Sequence, residues 1–152
     1  MATTRNPDRI IGTKADPQML RWYIIPRNKW VNIYLHQIVR SDEDRALHDH
    51  PWWSLSFMLE GPVVEWTFAY PERGASGGFR QRLILNGEWV FRRGKDAHRL
   101  EIVMPQPAWT VFITGPVFRP WGFHCPKGWV DHHDFIKRGE GGLTSETGIG
   151  CG

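Results

Sequence analysis

The frequency of turn signals constrains this chain more than any other feature. Strand-like runs at 52–60, 63–70, 81–86, 88–92, 98–104, 109–114, 117–123 and 131–137 follow one another at close spacing. Glu60-Gly61-Pro62, Asn86-Gly87, Arg93-Gly94-Lys95, Gly115-Pro116 and the Pro126–Gly128 stretch separate them. Ahead of these, WVNIYLHQIV (30–39) places Val31, Ile33 and Leu35 on one face and Asn32, Tyr34 and His36 on the other, the period of a half-buried strand. Asn86-Gly87 between two alternating runs predicts a hairpin, and Gly61-Pro62 reads as another hairpin turn. Short strands closed by such turns predict an all-β, antiparallel sandwich or barrel. Nine Trp, eight Phe and three Tyr suit that choice, because flat rings pack well on pleated surfaces.

At 152 residues the chain suffices for one domain with a real core. Residues 1–29 read as an N-terminal arm holding a short helix in ADPQMLRWYII (15–25), with Asp16 as N-cap and Pro17 at the first helical position. Residues 30–137 form the domain, and 138–152 a glycine-rich, flexible tail too polar to fold alone. The loop PERGASGG (71–78) lacks the Lys-Ser/Thr ending of a phosphate-binding loop. A formal charge of +3 with scattered Lys and Arg shows no basic stripe and no nucleic-acid reader motif. No apolar run is long enough to span a membrane, and no basic leader precedes an apolar segment. Cys125 and Cys151 are the only cysteines, and the second sits among tail glycines. The expectation is no disulfide and a reduced, cytoplasmic protein.

The chemistry concentrates in RALHDHPWWSLSFMLEG (45–61). On a strand, His48 and His50 project to one side about 7 Å apart while Asp49 faces away. Pro51 biases His50 toward an extended conformation. Two imidazoles supply two corners of a metal site, and a third ligand must come from elsewhere.

These residues resemble the first signature of the cupin superfamily, in which His-x-His precedes three or four residues, a Glu, six residues and a Gly. Here Ser54 stands in the Glu slot and Gly61 in the Gly slot. The second signature aligns from Gly87, with His98 in its His slot but Arg93, Lys95 and Ile102 in the Pro, Gly and Asn slots. Small, functionally unassigned cupins of bacteria and their phages are the most similar kind. The resemblance implies a jelly-roll over roughly residues 30–125 and His48, His50 and His98 as ligands to one divalent metal. That ion is Fe2+ for an enzyme, with Zn2+, Ni2+ and Mn2+ as alternatives. Ser54 removes the anionic ligand. If Gly61-Pro62 is a hairpin turn, Glu65 lies opposite Met58, roughly 20 Å or more from His50. Glu101 has the wrong parity relative to His98. A three-histidine site follows.

Other candidates are His124 as a proton-transferring acid or base, Arg119 as a guanidinium for a substrate carboxylate, and Trp53 and Ser54 in the binding pocket. Cys125, of opposite parity to His124, reads as an inert buried thiol. His132 and His133 lack the paired spacing of a structural zinc site. Cupins without the usual Glu include thiol dioxygenases, so the resemblance implies oxidation of a small polar or thiol-bearing molecule. A non-catalytic small-molecule-binding or scaffold barrel and a metal-independent isomerase stay open, as does a homodimer formed through the arm and first strand.

Overall fold

The structure, a computed structural model, describes residues 3–42, 46–135 and 151. The strands are Arg9–Gly12 (β1), Pro17–Tyr23 (β2), Asn32–Ile38 (β3), Leu47–His48 (β4), Ser54–Glu60 (β5), Val63–Phe68 (β6), Phe79–Ile84 (β7), Trp89–Arg92 (β8), His98–Ile102 (β9), Ala108–Thr114 (β10), Gly122–Cys125 (β11) and Gly128–Asp131 (β12). A 3-10 segment covers Pro71–Gly77, and one helical turn, His132–Phe135 (α1), follows β12. Two antiparallel sheets face each other, in the orders β1-β2-β3-β10-β5-β8 and β12-β11-β4-β9-β6-β7. The expected all-β jelly-roll is observed.

Inward and outward positions follow the period of two. Tyr34, His36 and Ile38 on β3 and Met58 on β5 are buried inside. One end of the barrel is closed by Ile38, Met58, Val63, Ile84, Val90 and Ala108. The interior also buries His36, Arg92 and His98, which is the first sign that the barrel encloses a site rather than a plain core.

Several sequence expectations need correction. Residues 17–23, expected as helix, form strand β2, because β3 offers a full ladder of partners from Met19↔Ile38 to Tyr23↔Tyr34. Trp22 stacks on Trp109 at 5.6 Å, so burial and pairing override the local helix signals. Within the expected arm, β1 adds an edge strand to β2. The run 117–123 is not a strand until Gly122, and 131–137 divides into the end of β12 and α1, with 136–137 outside the described residues.

Both turn signals are real, but neither makes a hairpin. Gly61-Pro62 carries the chain from β5 in the first sheet to β6 in the second, and Asn86-Gly87 carries it back from β7 to β8. The turns brace each other: Gly61 N donates to Asn86 Oδ1 at 2.7 Å, and Gly87 N to Met58 O at 2.7 Å. Gly87 takes φ +84°, the left-handed region that favours glycine. As a result β6 pairs with β7 and β9 rather than with β5.

The tail also departs from expectation. Cys125 and Cys151 form a disulfide, with Cα atoms 5.4 Å apart. Cys151 packs on the cluster of Ala46, Phe123, Cys125 and Phe135. The disulfide ties Cys151 to β11, a link that composition did not reveal. The pairing also removes the inference from free thiols to a reducing compartment. The rest of the tail, 138–150 and 152, lies outside the described residues. The bond closes a loop of 26-residue separation, so Cys151→Ser is expected to cost about 3 kcal/mol in urea unfolding. Equal stability of the oxidised wild type and the variant would refute the pairing.

Candidate metal centre

His48 lies at the end of β4, directly opposite His98 on β9. His50 follows one step on, its N–H held by Gly94 O at 2.8 Å. The three ring centroids form a near-equilateral triangle, with separations of 5.0, 5.0 and 4.9 Å. One nitrogen from each ring lies within 4.8 Å of the others. Nitrogens bound about 2.1 Å from one ion at tetrahedral angles lie about 3.4 Å apart, so small rotations complete the geometry.

Burial holds all three imidazoles neutral. His50 is pushed well below 6.5 by desolvation, then by His98, His48 and Arg92. His98 is pushed well below it by burial, then by Arg92 and His48. Burial also lowers His48, partly offset by Asp42 and Asp49. Neutral imidazole is the ligating form.

The carboxylate that sequence spacing placed far away is next to the triad. Glu65 Oε2 accepts from His98 Nδ1 at 2.7 Å. A carboxylate there draws the ring proton to Nδ1 and leaves the Nε2 lone pair for a ligand. Because β6 is in the second sheet, Glu65 is two residues from Thr67, the register partner of His98. The same oxygen accepts from Nε and Nη2 of Arg92, and Arg82 Nη2 reaches Oε1 at 3.2 Å. Arg92 Nη1 also donates to Ser56 Oγ at 2.9 Å. This buried ion pair crosses from one sheet to the other. Arg92 neutralises Glu65, so the carboxylate orients His98 without charging it.

Asp49 does face away from the histidine pair, but it is 1% exposed and tightly bonded. It accepts from Gly122 N at 2.8 Å, His124 Nε2 at 3.0 Å, Trp129 Nε1 at 3.1 Å and Arg119 Nη2 at 3.3 Å. Burial opposes its ionisation, yet the bonds from His124, Gly122 and Arg119 hold its carboxyl below the usual range. The hub fixes the loop that carries His48 and His50. Its signal in the sequence was the aspartate between the histidines.

The structure places the remaining site candidates as follows. Arg119 spends its donors on the protein: Nη1 reaches His50 O at 2.9 Å and Gly94 O at 3.2 Å. His124 lines a separate cavity of about 240 Å³ and bonds Asp49 instead of facing the triad. Trp53 points outward over Gly115 and beside Phe91, while Trp52 lines the barrel and stacks on His50 at 4.9 Å. Ser54 is 1% exposed and its Oγ has no hydrogen-bond partner among the described residues, but it is not on the cavity wall. Asp131, His132 and His133 also bring ligand atoms together. Asp131 already holds the backbone and ring nitrogens of His133, each at 2.9 Å.

The triad opens on a cavity of about 690 Å³, within the roughly 300–1,000 Å³ of small-molecule sites. The donor set fits a divalent metal. The rings are neutral, His98 is oriented by a carboxylate, and His50 Nδ1 is buried without a partner among the described residues.

No family model matches the chain, and no curated protein does. Solved structures match its fold. Oxalate decarboxylase of Bacillus subtilis, described for its Mn(II) centres, superposes with a TM-score of 0.53 at 15% identity over 78% of this chain and 30% of that one. The DMSP lyase DddQ of Ruegeria pomeroyi gives 0.52 at 14% identity over 73% and 54%. A Klebsiella pneumoniae protein with a double-stranded β-helix domain gives 0.51 at 14% identity over 70% and 84%. The chain therefore has the cupin-type double-stranded β-helix fold.

Proposed function

We propose that this chain is a metal-dependent cupin enzyme in which His48, His50 and His98 hold one ferrous ion beside a small-molecule cavity and the bound molecule is oxidised by dioxygen. The observation that carries this reading is the buried, neutral triangle of imidazoles on the cavity wall, with Glu65 orienting His98. Oxalate decarboxylase, with Mn(II) centres on a similar barrel, supports a metal role for the fold. When bound, such an ion supplies open positions for substrate and dioxygen. The chain's own residues do the rest. Glu65 and Arg92 keep the His98 Nε2 lone pair aimed at the centre. Trp52 shields one face of His50, and the apolar plug of Ile38, Met58 and Val63 closes the far end to water.

Elemental analysis of protein reconstituted anaerobically with ferrous iron should find close to one metal per chain. His98→Ala should lose it while retaining the wild-type circular dichroism. Oxygen uptake with candidate substrates then separates an oxygenase from a binding barrel. Absence of metal from the reconstituted wild type would overturn the reading.

A further inference from the structure

On the antiparallel strands β1 and β2, Arg9 and Arg21 are direct register partners. Like charges placed opposite one another destabilise a sheet, so an anion bound between them would relieve the pair. Among the described residues, the nearby carboxylates are engaged elsewhere. Asp8 is taken by Arg5 at 2.6 Å and by Tyr23 N at 2.7 Å. Asp16 pairs with Arg40, and Asp42 holds Gln18 Nε2 and Leu100 N.

Arg21 points into the barrel, on the same face of β2 as Met19, and Arg9, Arg21 and Arg27 all border the cavity that holds the triad. Its Nε donates to His36 Nε2 at 2.9 Å, and its guanidinium lies 4.4 Å from the Tyr34 ring centroid. The head group is thus held in place, and among the described residues no hydrogen bond uses its two Nη atoms. Burial, with Arg9 and Arg27 nearby, pushes Arg21 down to about 10. The contrast with Arg92 is informative: that guanidinium lines the same cavity but has its own carboxylate, Glu65. A chain of ring contacts joins the two regions. His36 meets Phe112 at 5.0 Å, Phe112 meets Trp52 at 5.5 Å, and Trp52 stacks on His50.

We propose that Arg21, flanked by Arg9 and Arg27, is an oxyanion-binding subsite, so that the cavity's ligand is a small molecule carrying a carboxylate or phosphate. That this ligand is also the molecule acted on rests on the metal-centre reading above; the binding claim does not. A planar guanidinium fork fixed by one hydrogen bond and one ring presents two parallel donors, the geometry a carboxylate or phosphate accepts.

The test is a titration of the full-length protein with malonate and, separately, inorganic phosphate, against chloride at constant ionic strength. The readout is the Arg Nε–H region of the nitrogen–proton NMR spectrum. A saturable shift of the Arg21 Nε–H signal is expected with at least one anion, and the tighter of the two names the source. Arg21→Gln should weaken binding at least tenfold and Arg9→Gln severalfold, while Arg80→Gln, an exposed control on β7, leaves it unchanged. Should Arg21→Gln fold poorly, Arg9→Gln alone decides, since Arg9 lies on an exposed edge strand. Metal content of Arg21→Gln should match wild type, and His98→Ala should still bind the anion. Anion binding without metal would leave this inference standing and overturn the enzyme reading alone. Non-saturable shifts, or equal losses in Arg80→Gln and Arg21→Gln, would reduce the cluster to general surface charge and overturn it.

Discussion

Glu65→Ala is expected to destabilise the protein by about 3–5 kcal/mol, because it leaves the Arg92 guanidinium buried without its anion. Arg92 and Glu65 are both nearly fully buried, so solvent cannot replace the lost partner. The same change should weaken metal binding by about 10- to 100-fold, since His98 loses the carboxylate that fixes its tautomer. Glu65→Gln separates these effects. An amide oxygen still accepts from His98 Nδ1 but does not neutralise Arg92, so metal affinity should fall less than in the alanine variant. Urea unfolding and competition against a chromophoric chelator measure the two quantities. Wild-type stability in Glu65→Ala would show that the inter-sheet ion pair does not form in solution.

Acid should unfold the metal-free protein well before its carboxylates protonate. His36, His50 and His98 are held well below 6.5, in each case chiefly by burial. In the unfolded chain these imidazoles take up protons near pH 6.5, and in the folded chain they do not. The unfolded state therefore binds more protons below that pH, and stability falls as pH falls. The loss continues until the depressed folded-state values are reached. By pH 5.5 each histidine contributes about 1.4 kcal/mol of destabilisation, and the three together about 4 kcal/mol. Urea midpoints in the presence of EDTA, taken from pH 7.5 down to 5.5, measure this directly. A flat profile over that window would mean that the three rings are not buried neutral. Bound metal should steepen the dependence further, because protons compete for the same nitrogens.

How much of this was legible in the sequence divides along one physical line. Alternation and turn residues report local geometry, and they correctly indicated short strands, an antiparallel barrel and the inward parity of His48 and His50. They do not say which strand lies across a turn. Gly61-Pro62 and Asn86-Gly87 look like hairpin signals but are crossings between sheets, and that single ambiguity displaced Glu65 from beside His98 to the far end of a ribbon. The partners of Arg119 and His124 were hidden for a related reason: a donor's type is visible in sequence, but its bond to Asp49 is not. The helix expected over 15–25 illustrates the converse, where a sound capping signal lost to a neighbouring strand edge. The Arg9–Arg21 juxtaposition was equally invisible, since it exists only once β1 and β2 are in register.

The second sheet is less continuous than its six strands suggest. Its order places β12, β11 and β4 on one side and β9, β6 and β7 on the other, and among the described residues the ladder between these halves consists of the single pair His48↔His98. The backbone ladder therefore crosses that seam at one stitch, with Leu47 and Phe68 packing beside it, and the imidazoles meet there. An ion gripping both edges would act as a clasp, adding a second tie across a seam that the backbone ladder crosses only once.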